Sequence, residues 1–158
     1  MTRGSVLFLD TNVLLAASDR SRSAHPDCTS LFSEASMAGC HLACTPLVLR
    51  EYLVVSTRPI DVNGLGLSTG GALRNVREFR KKVVVLDEST QVLKGLLALV
   101  EAHGLTGKRV HDANIVAAMA VHRVDTLVTS NDSDFKDLLE GRILSPAESL
   151  SLLRENLT

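Results

Sequence analysis

Short, continuous runs of apolar residues alternate with longer segments of helical periodicity along the chain. Such runs are typical of strands that are buried on both faces of a parallel sheet. They predict strands at 6–9, 41–45, 83–86 and 126–130, and a short one at the start of 142–156. The periodic segments predict helices at 25–39, 46–57, 72–82, 89–104 and 109–124. A short helix is also predicted after Asp10, and a closing helix within 142–156. Glycines and turn residues predict a loop at 58–71.

The repeated order of strand, helix and strand predicts how these elements are arranged. It favours an α/β fold of three layers, α/β/α, with a central, mostly parallel sheet of four to five strands. A chain of 158 residues is long enough for one hydrophobic core and short for two. It shows no internal repeat and no domain-sized linker, so we expect a single domain over 1–158.

Composition narrows the class of function. Aromatic residues make up only 3% and tryptophan is absent, which disfavours a stacking platform for single-stranded bases. The net charge of −1 gives no global positive field, although it leaves room for a local basic patch. The three cysteines do not have the spacing of a zinc site and are expected to be reduced, buried thiols. With neither a signal-peptide pattern nor an apolar run long enough to span a bilayer, we expect a cytoplasmic protein without a membrane association.

Acidic residues follow the predicted strands at the edge where parallel sheets bind ligands. Asp10 closes the first strand, Asp112 lies in the first turn of helix 109–124, and Asp132 and Asp134 follow strand 126–130. Glu51 interrupts an otherwise apolar helix. Each acid also has a purely structural interpretation, as a helix cap, a first-turn charge or a turn residue.

Convergence of Asp10, Glu51, Asp112 and Asp134 would raise their pKa values through mutual repulsion. A hard divalent cation relieves that repulsion, and Mg²⁺ suits a few carboxylates that leave coordination positions open to water. One or two such ions lower the pKa of a bound water and stabilise charge on a scissile phosphate. The acids therefore predict a Mg²⁺ or Mn²⁺ site.

Basic residues suggest two sites at which the phosphates of a nucleic acid could bind. Helix 72–82 carries a local charge of +4 and presents Arg74, Arg77 and Arg80 on one face, which predicts either an RNA-binding strip or a solvated surface. Lys108 and Arg109 share the predicted acidic edge of the sheet with Asp112 and are the better candidates for phosphate contacts.

Other enzyme classes fit the sequence less well. "GLTGKRV" lacks the spacing and the Ser or Thr of a P-loop, and "NDSD" lacks the glycine and distal Glu of a calcium loop. A haloacid-dehalogenase-like phosphatase also opens with an apolar strand that ends in Asp. Its chemistry needs a second Asp two residues later, where this chain has Asn12.

The motifs "LDTNVLL", the "RE" pair inside an apolar helix, "HDANIVAAM" and "TLVTSNDSDF" occur in this order and spacing. Together they resemble a PIN domain, and within that family the VapC-type toxins of bacterial toxin–antitoxin pairs. The resemblance covers residues 6 to 150.

The resemblance implies a metal-dependent endoribonuclease that hydrolyses RNA phosphodiesters and leaves a 5′-phosphate and a 3′-hydroxyl. Carried onto this chain, the catalytic, metal-binding acids are Asp10, Glu51, Asp112 and Asp134. Asn131 is a further metal-ligand candidate. Asp132 competes with Asp134, which is favoured because it directly precedes Phe135. The resemblance also gives Thr11, Asn12 and Thr129 roles in supporting ligands or phosphate.

The resemblance further implies a homodimer and an antitoxin whose C-terminal segment covers the pocket. The sequence leaves open the RNA target, the number of metal ions, and whether the chain is a toxin or a housekeeping nuclease. A catalytically inactive PIN-like RNA-binding module stays the non-enzymatic alternative.

Overall fold

The computed structural model describes residues 4–155 and residue 157. Five parallel strands form one sheet in the order β3-β2-β1-β4-β5. Their bounds are Val6–Leu9 (β1), His41–Cys44 (β2), Val83–Val85 (β3), Thr126–Val128 (β4) and Arg142–Leu144 (β5). The predicted α/β class is confirmed, and the sheet is wholly rather than mostly parallel.

Seven helices connect and cover the strands. They span Thr11–Ser18 (α1), His25–Glu34 (α2), Pro46–Thr57 (α3), Thr69–Arg80 (α4), Thr90–His103 (α5), Arg109–His122 (α6) and Pro146–Glu155 (α7). Short 3-10 turns at Ile60–Val62 and Asp132–Asp134 complete the described part of the chain. No helix in residues 4–155 is long and apolar enough to cross a membrane.

Two helix boundaries differ from the sequence prediction by three residues or more, and the other described helix ends in α4, α5 and α6 by one or two. Helix α2 ends at Glu34 rather than at 39, and turns lead from there to Gly39, whose φ of 69° reverses the chain before β2. Helix α4 begins at Thr69, inside the predicted loop, because the Ser68 hydroxyl accepts a hydrogen bond from the Gly71 amide and caps it. The end of the closing helix, predicted at 156, lies outside the described residues.

Strand β1 lies at the centre of the sheet, and its residues Leu7, Phe8 and Leu9 are fully buried. The chain runs outward from β1 through β2 to β3 and then returns to β4 on the other side of β1. Such a reversal opens a crevice at the carboxyl ends of the two strands. The register pairs Leu9 with Val128, so the residues that follow each strand meet at that crevice.

Candidate active site

Asp10 lies at the crevice as the N-cap of α1. Its Oδ1 accepts the backbone N–H of Thr11 at 2.6 Å. Its Oδ2 accepts two further hydrogen bonds, from the Asn12 amide and from the Thr129 hydroxyl, both at 2.7 Å. Three donors therefore fix this carboxylate, and Asp10 both caps a helix and faces the crevice.

Asn12 and Thr129 form a bridge between α1 and the segment after β4. The Asn12 amide also donates to the Thr129 hydroxyl oxygen at 2.9 Å, and its carbonyl oxygen accepts the Ser130 N–H at 3.1 Å. The Asn131 N–H donates to the same Thr129 oxygen at 3.0 Å. The polar groups of Asn12 and Thr129, which were predicted to support ligands or bind phosphate, therefore orient the Asp10 carboxylate.

Glu51 reaches the crevice from the exposed side of α3. Its Oε2 accepts the Thr11 hydroxyl at 2.8 Å, so Thr11 contacts two of the four acids, one through its backbone and one through its side chain. The His111 Nδ1 lies 3.5 Å from the other oxygen of Glu51.

Asp112 lies in the first turn of α6 and is only 6% exposed. Its Oδ2 is buried without a hydrogen-bond partner among the described residues. Burial raises the pKa of Asp112, Asp134 and Glu51 raise it further by repulsion, and the nearby cations Lys108 and Arg109 oppose the rise. An orphaned carboxylate oxygen in such a setting is costly unless a cation meets it.

Burial also raises the pKa of Asp10, from 3.8 to about 6. The hydrogen bonds from Thr129 and Thr11 lower it, while Asp112 and Glu51 raise it by repulsion. Asp112 and Glu51 repel Asp10, and Asp134 and Glu51 repel Asp112, so acids from the end of β1, from α3, from α6 and from the segment after β4 interact electrostatically at one place.

The segment after β4 separates the two acids that compete in the sequence. Asp134 lines the crevice, where the Lys108 ammonium contacts it at 3.0 Å. Asp132 lies outside it and pairs with Lys136. Of the two predicted phosphate-binding cations, Lys108 lines the crevice, whereas Arg109 makes a two-pronged contact to Asp137 at 2.8 and 2.9 Å.

The crevice is a cleft of about 500 Å³ that holds all four predicted acids together with Asn131. Its lining also contains polar residues that the sequence interpretation missed, namely Arg22, Arg50, Arg58, Asn63 and His111. A signal for Arg50 was present, because it is adjacent to Glu51 and is the only other charged residue of the predicted helix 46–57. Arg58 lies in the predicted loop and gave no such signal.

The donor set of this cleft fits a hard divalent cation. Among residues 4–155 and 157, no three acidic, histidine or cysteine side chains are already close enough to surround one ion. Mg²⁺ does not require this, because it usually takes one or two carboxylates and keeps several waters. Asp10 and the unpartnered oxygen of Asp112 offer such a pair.

The sequence matches the PIN domain family over residues 7–140. A comparison with curated proteins found no significant match. Among solved structures, the fold is similar to that of VapBC2 from Rickettsia felis bound to a promoter DNA fragment, with a TM-score of 0.65 and 19% identity over 89% of this chain and 98% of the other. A toxin–antitoxin complex from Klebsiella pneumoniae gives a TM-score of 0.61 and 22% identity, covering 90% and 98% of the two chains. VapBC-1 from nontypeable Haemophilus influenzae gives 0.63 and 14%, with the same coverage.

Proposed function

Because the chain belongs to the PIN domain family, we propose that it is a divalent-metal-dependent endoribonuclease that hydrolyses RNA phosphodiesters, and that it is the toxin of a type II toxin–antitoxin pair. The family match favours this function over the haloacid-dehalogenase-like alternative. The observation that carries the proposal is the pair Asp10 and Asp112 in one cleft, a half-buried and a buried carboxylate, the second with an oxygen that no group of the described residues meets.

In this proposal Asp10 and Asp112 hold Mg²⁺ or Mn²⁺, and Glu51, Asp134 and Asn131 complete its surroundings directly or through water. When bound, the cation activates a water and stabilises negative charge on the phosphate. With a cation held there, Asp10 and Asp112 would be relieved of the repulsion that adds to burial in raising their pKa values.

The remaining side chains of the cleft orient these acids. Thr129 and Asn12 hold Oδ2 of Asp10, while the Thr11 hydroxyl holds Glu51. Lys108 holds Asp134 and lowers the net negative charge that an RNA phosphate meets on entry.

The toxin role is supported by the solved structures with this fold, which are VapBC and toxin–antitoxin complexes. We accordingly propose three partners: an RNA substrate, a cognate antitoxin and a second copy of this chain. We also propose that the protein acts in the cytoplasm.

The decisive experiment compares Asp10→Asn and Asp112→Asn with the wild type on total cellular RNA, in the presence of Mg²⁺ or Mn²⁺, with the new 5′ ends mapped. Both variants are expected to lose cleavage by at least about 100-fold, because each removes a proposed metal ligand. Asp132→Asn is the matched control, since Asp132 lies outside the cleft on the same segment as Asp134.

The proposal is wrong if both cleft variants cut RNA as fast as the wild type. It is equally wrong if the wild type cuts no RNA with either metal, which would leave the inactive binding module as the better description.

A further inference from the structure

Helix α3 has two distinct faces. One face is buried in the protein and consists of Leu47, Val48, Leu49, Tyr52 and Ser56. The opposite face lines the cleft with Arg50, Glu51, Val54 and Val55, and Arg58 extends this surface as the first residue after the helix. We call these five residues the α3 stripe. The four helical positions follow the i, i+1, i+4, i+5 spacing of a single helical face. The stripe therefore continues the acidic site along the length of the helix.

The cations of the cleft differ in whether an acid already neutralises them. Lys108 contacts Asp134 at 3.0 Å, and Arg22 contacts Asp19 at 3.2 Å. Arg50 and Arg58 are exposed, and within residues 4–155 and 157 their side chains have no ion pair or hydrogen bond. These two arginines are thus the cleft cations whose charge is free for a ligand.

The spacing of the two arginines suits an extended polyanion. Arg58 is eight positions after Arg50, which corresponds to about 12 Å at the rise of the helix that ends just before Arg58. Val54 lies between them and is 53% exposed, so it offers an apolar surface to a ribose or a base. Glu51, next to Arg50, connects the stripe to the other acids of the cleft.

Residues 64–67 fold back against the end of α3 and against Arg58, which directly follows the helix. The amides of Leu65 and Leu67 donate to the carbonyls of Val55 and Ser56 at 3.3 and 2.9 Å, and the Gly66 amide donates to the Arg58 carbonyl at 2.9 Å. A Cβ on Gly64 would lie 2.0 Å from that carbonyl oxygen, so only glycine fits here. This close packing fixes the backbone of Arg58 at the cleft.

We infer that the RNA strand runs along the α3 stripe, with Arg50 and Arg58 binding its phosphates on the approach to the acidic site. This inference rests on the proposed function, because it takes the substrate to be RNA. It moves the main phosphate contacts from Lys108 and Arg109, which are paired with acids, to Arg50 and Arg58 of the α3 stripe.

The test measures RNA binding without cleavage, in the Asp10→Asn background and in metal-free buffer, with a labelled single-stranded RNA of mixed sequence. Adding Arg50→Gln and Arg58→Gln is expected to weaken binding roughly tenfold at low salt. The slope of log Kd against log salt concentration should fall by about 0.7 for each arginine. The control pair, Arg20→Gln with Arg142→Gln, removes the same charge from exposed positions outside the cleft.

The inference is overturned if the Arg50/Arg58 pair changes affinity and salt slope no more than the control pair. It is also overturned if Arg74→Gln with Arg77→Gln on α4 gives the larger loss, which would assign the RNA path to that basic helix. The proposed function fails separately, if the wild type cleaves no RNA or if Asp10→Asn and Asp112→Asn both cleave it as fast as the wild type. A wild type that cuts RNA, combined with an ineffective Arg50/Arg58 pair, removes this inference alone.

A second comparison tests the positioning of Arg58 without removing charge. Gly64→Ala should weaken RNA binding by displacing the Arg58 backbone, whereas Gly70→Ala, with open space around the added methyl group, should not. Wild-type affinity in a folded Gly64→Ala protein would contradict the positioning role. The arginine variants change only exposed side chains and decide the inference by themselves.

Discussion

The Thr129 hydroxyl donates a 2.7 Å hydrogen bond to Oδ2 of Asp10, although the two residues are 119 positions apart in the chain. Each directly follows a buried strand, and the parallel register of β1 and β4 brings the two strand ends side by side. The contact is therefore a product of the sheet topology, and it fixes Asp10, one of the acids that we propose as metal ligands.

Replacing Thr129 with valine keeps the shape of the side chain but removes this donor. Since the Thr129 hydrogen bond lowers the pKa of Asp10, its loss should raise that pKa and weaken metal binding by about 10- to 100-fold. The dependence of the RNA cleavage rate on Mn²⁺ concentration measures the change. Thr129→Ser retains the hydroxyl and should behave as the wild type. Identical Mn²⁺ dependence in the two variants would refute the positioning role.

The raised pKa of Asp10 predicts how the stability of the metal-free protein depends on pH. The unfolded chain ionises this group near 3.8 and the folded protein near 6, so between these values the folded state holds the extra proton. The free energy of unfolding should therefore fall as pH rises through this window, and stay lower above it. Relative to Asp10→Asn, the loss is of the order of 3 kcal/mol.

Urea denaturation of both proteins in chelator, from about pH 4 to about pH 7, measures this difference. Asp112 and the other shared acids contribute to both curves, so the comparison isolates Asp10. A difference that does not change with pH would mean that Asp10 keeps an ordinary pKa in the folded protein.

Mn²⁺ should stabilise the folded protein at neutral pH, because it binds acids that repel one another in its absence. At 100 times the Kd, the expected gain in unfolding free energy is about 2.7 kcal/mol, visible as a higher Tm. Asp112→Asn should abolish the gain, because it removes the carboxylate whose unpartnered Oδ2 is the proposed metal ligand. Asp132→Asn should retain the gain, because Asp132 lies outside the cleft and pairs with Lys136. An equal Tm increase in all three proteins would indicate nonspecific binding of Mn²⁺. Removal of the metal by a chelator should also stop RNA cleavage by the wild type.

Tyr52 tests the scaffold independently of the chemistry. It is fully buried, its hydroxyl lies 2.8 Å from the Ser18 Oγ, and it accepts the Asn75 amide at 2.8 Å, so it connects α1, α3 and α4. Tyr52→Phe keeps the edge contact with the Phe79 ring but should lower the free energy of unfolding by about 1–2 kcal/mol. RNA cleavage below the melting transition should be unchanged. A large loss of cleavage with unaltered stability would instead place Tyr52 in the mechanism.

The local pattern of apolar and polar residues was sufficient to predict the strands and α-helices of the sheet and its two helical layers. Apolar runs such as Val6–Leu9 and periodic segments such as 46–57 predict their own conformation, since burial on both faces or on one face leaves a distinct period. The order of the elements then predicts a parallel sheet with acids at one edge. The start of α4 was missed because the Ser68 cap outweighs the glycines that follow it.

The sequence by itself determined the strands and the helices, and it predicted one edge of the sheet for Asp10, Asp112 and Asp134, because parallel strands end at a common edge. Only the tertiary structure decided which neighbours those acids meet. It separated Asp134 from Asp132, paired Arg109 with Asp137, and left Arg50 and Arg58 free beside the cleft. Such pairings depend on strand register and on helix packing between residues far apart in the chain, and no local period records them.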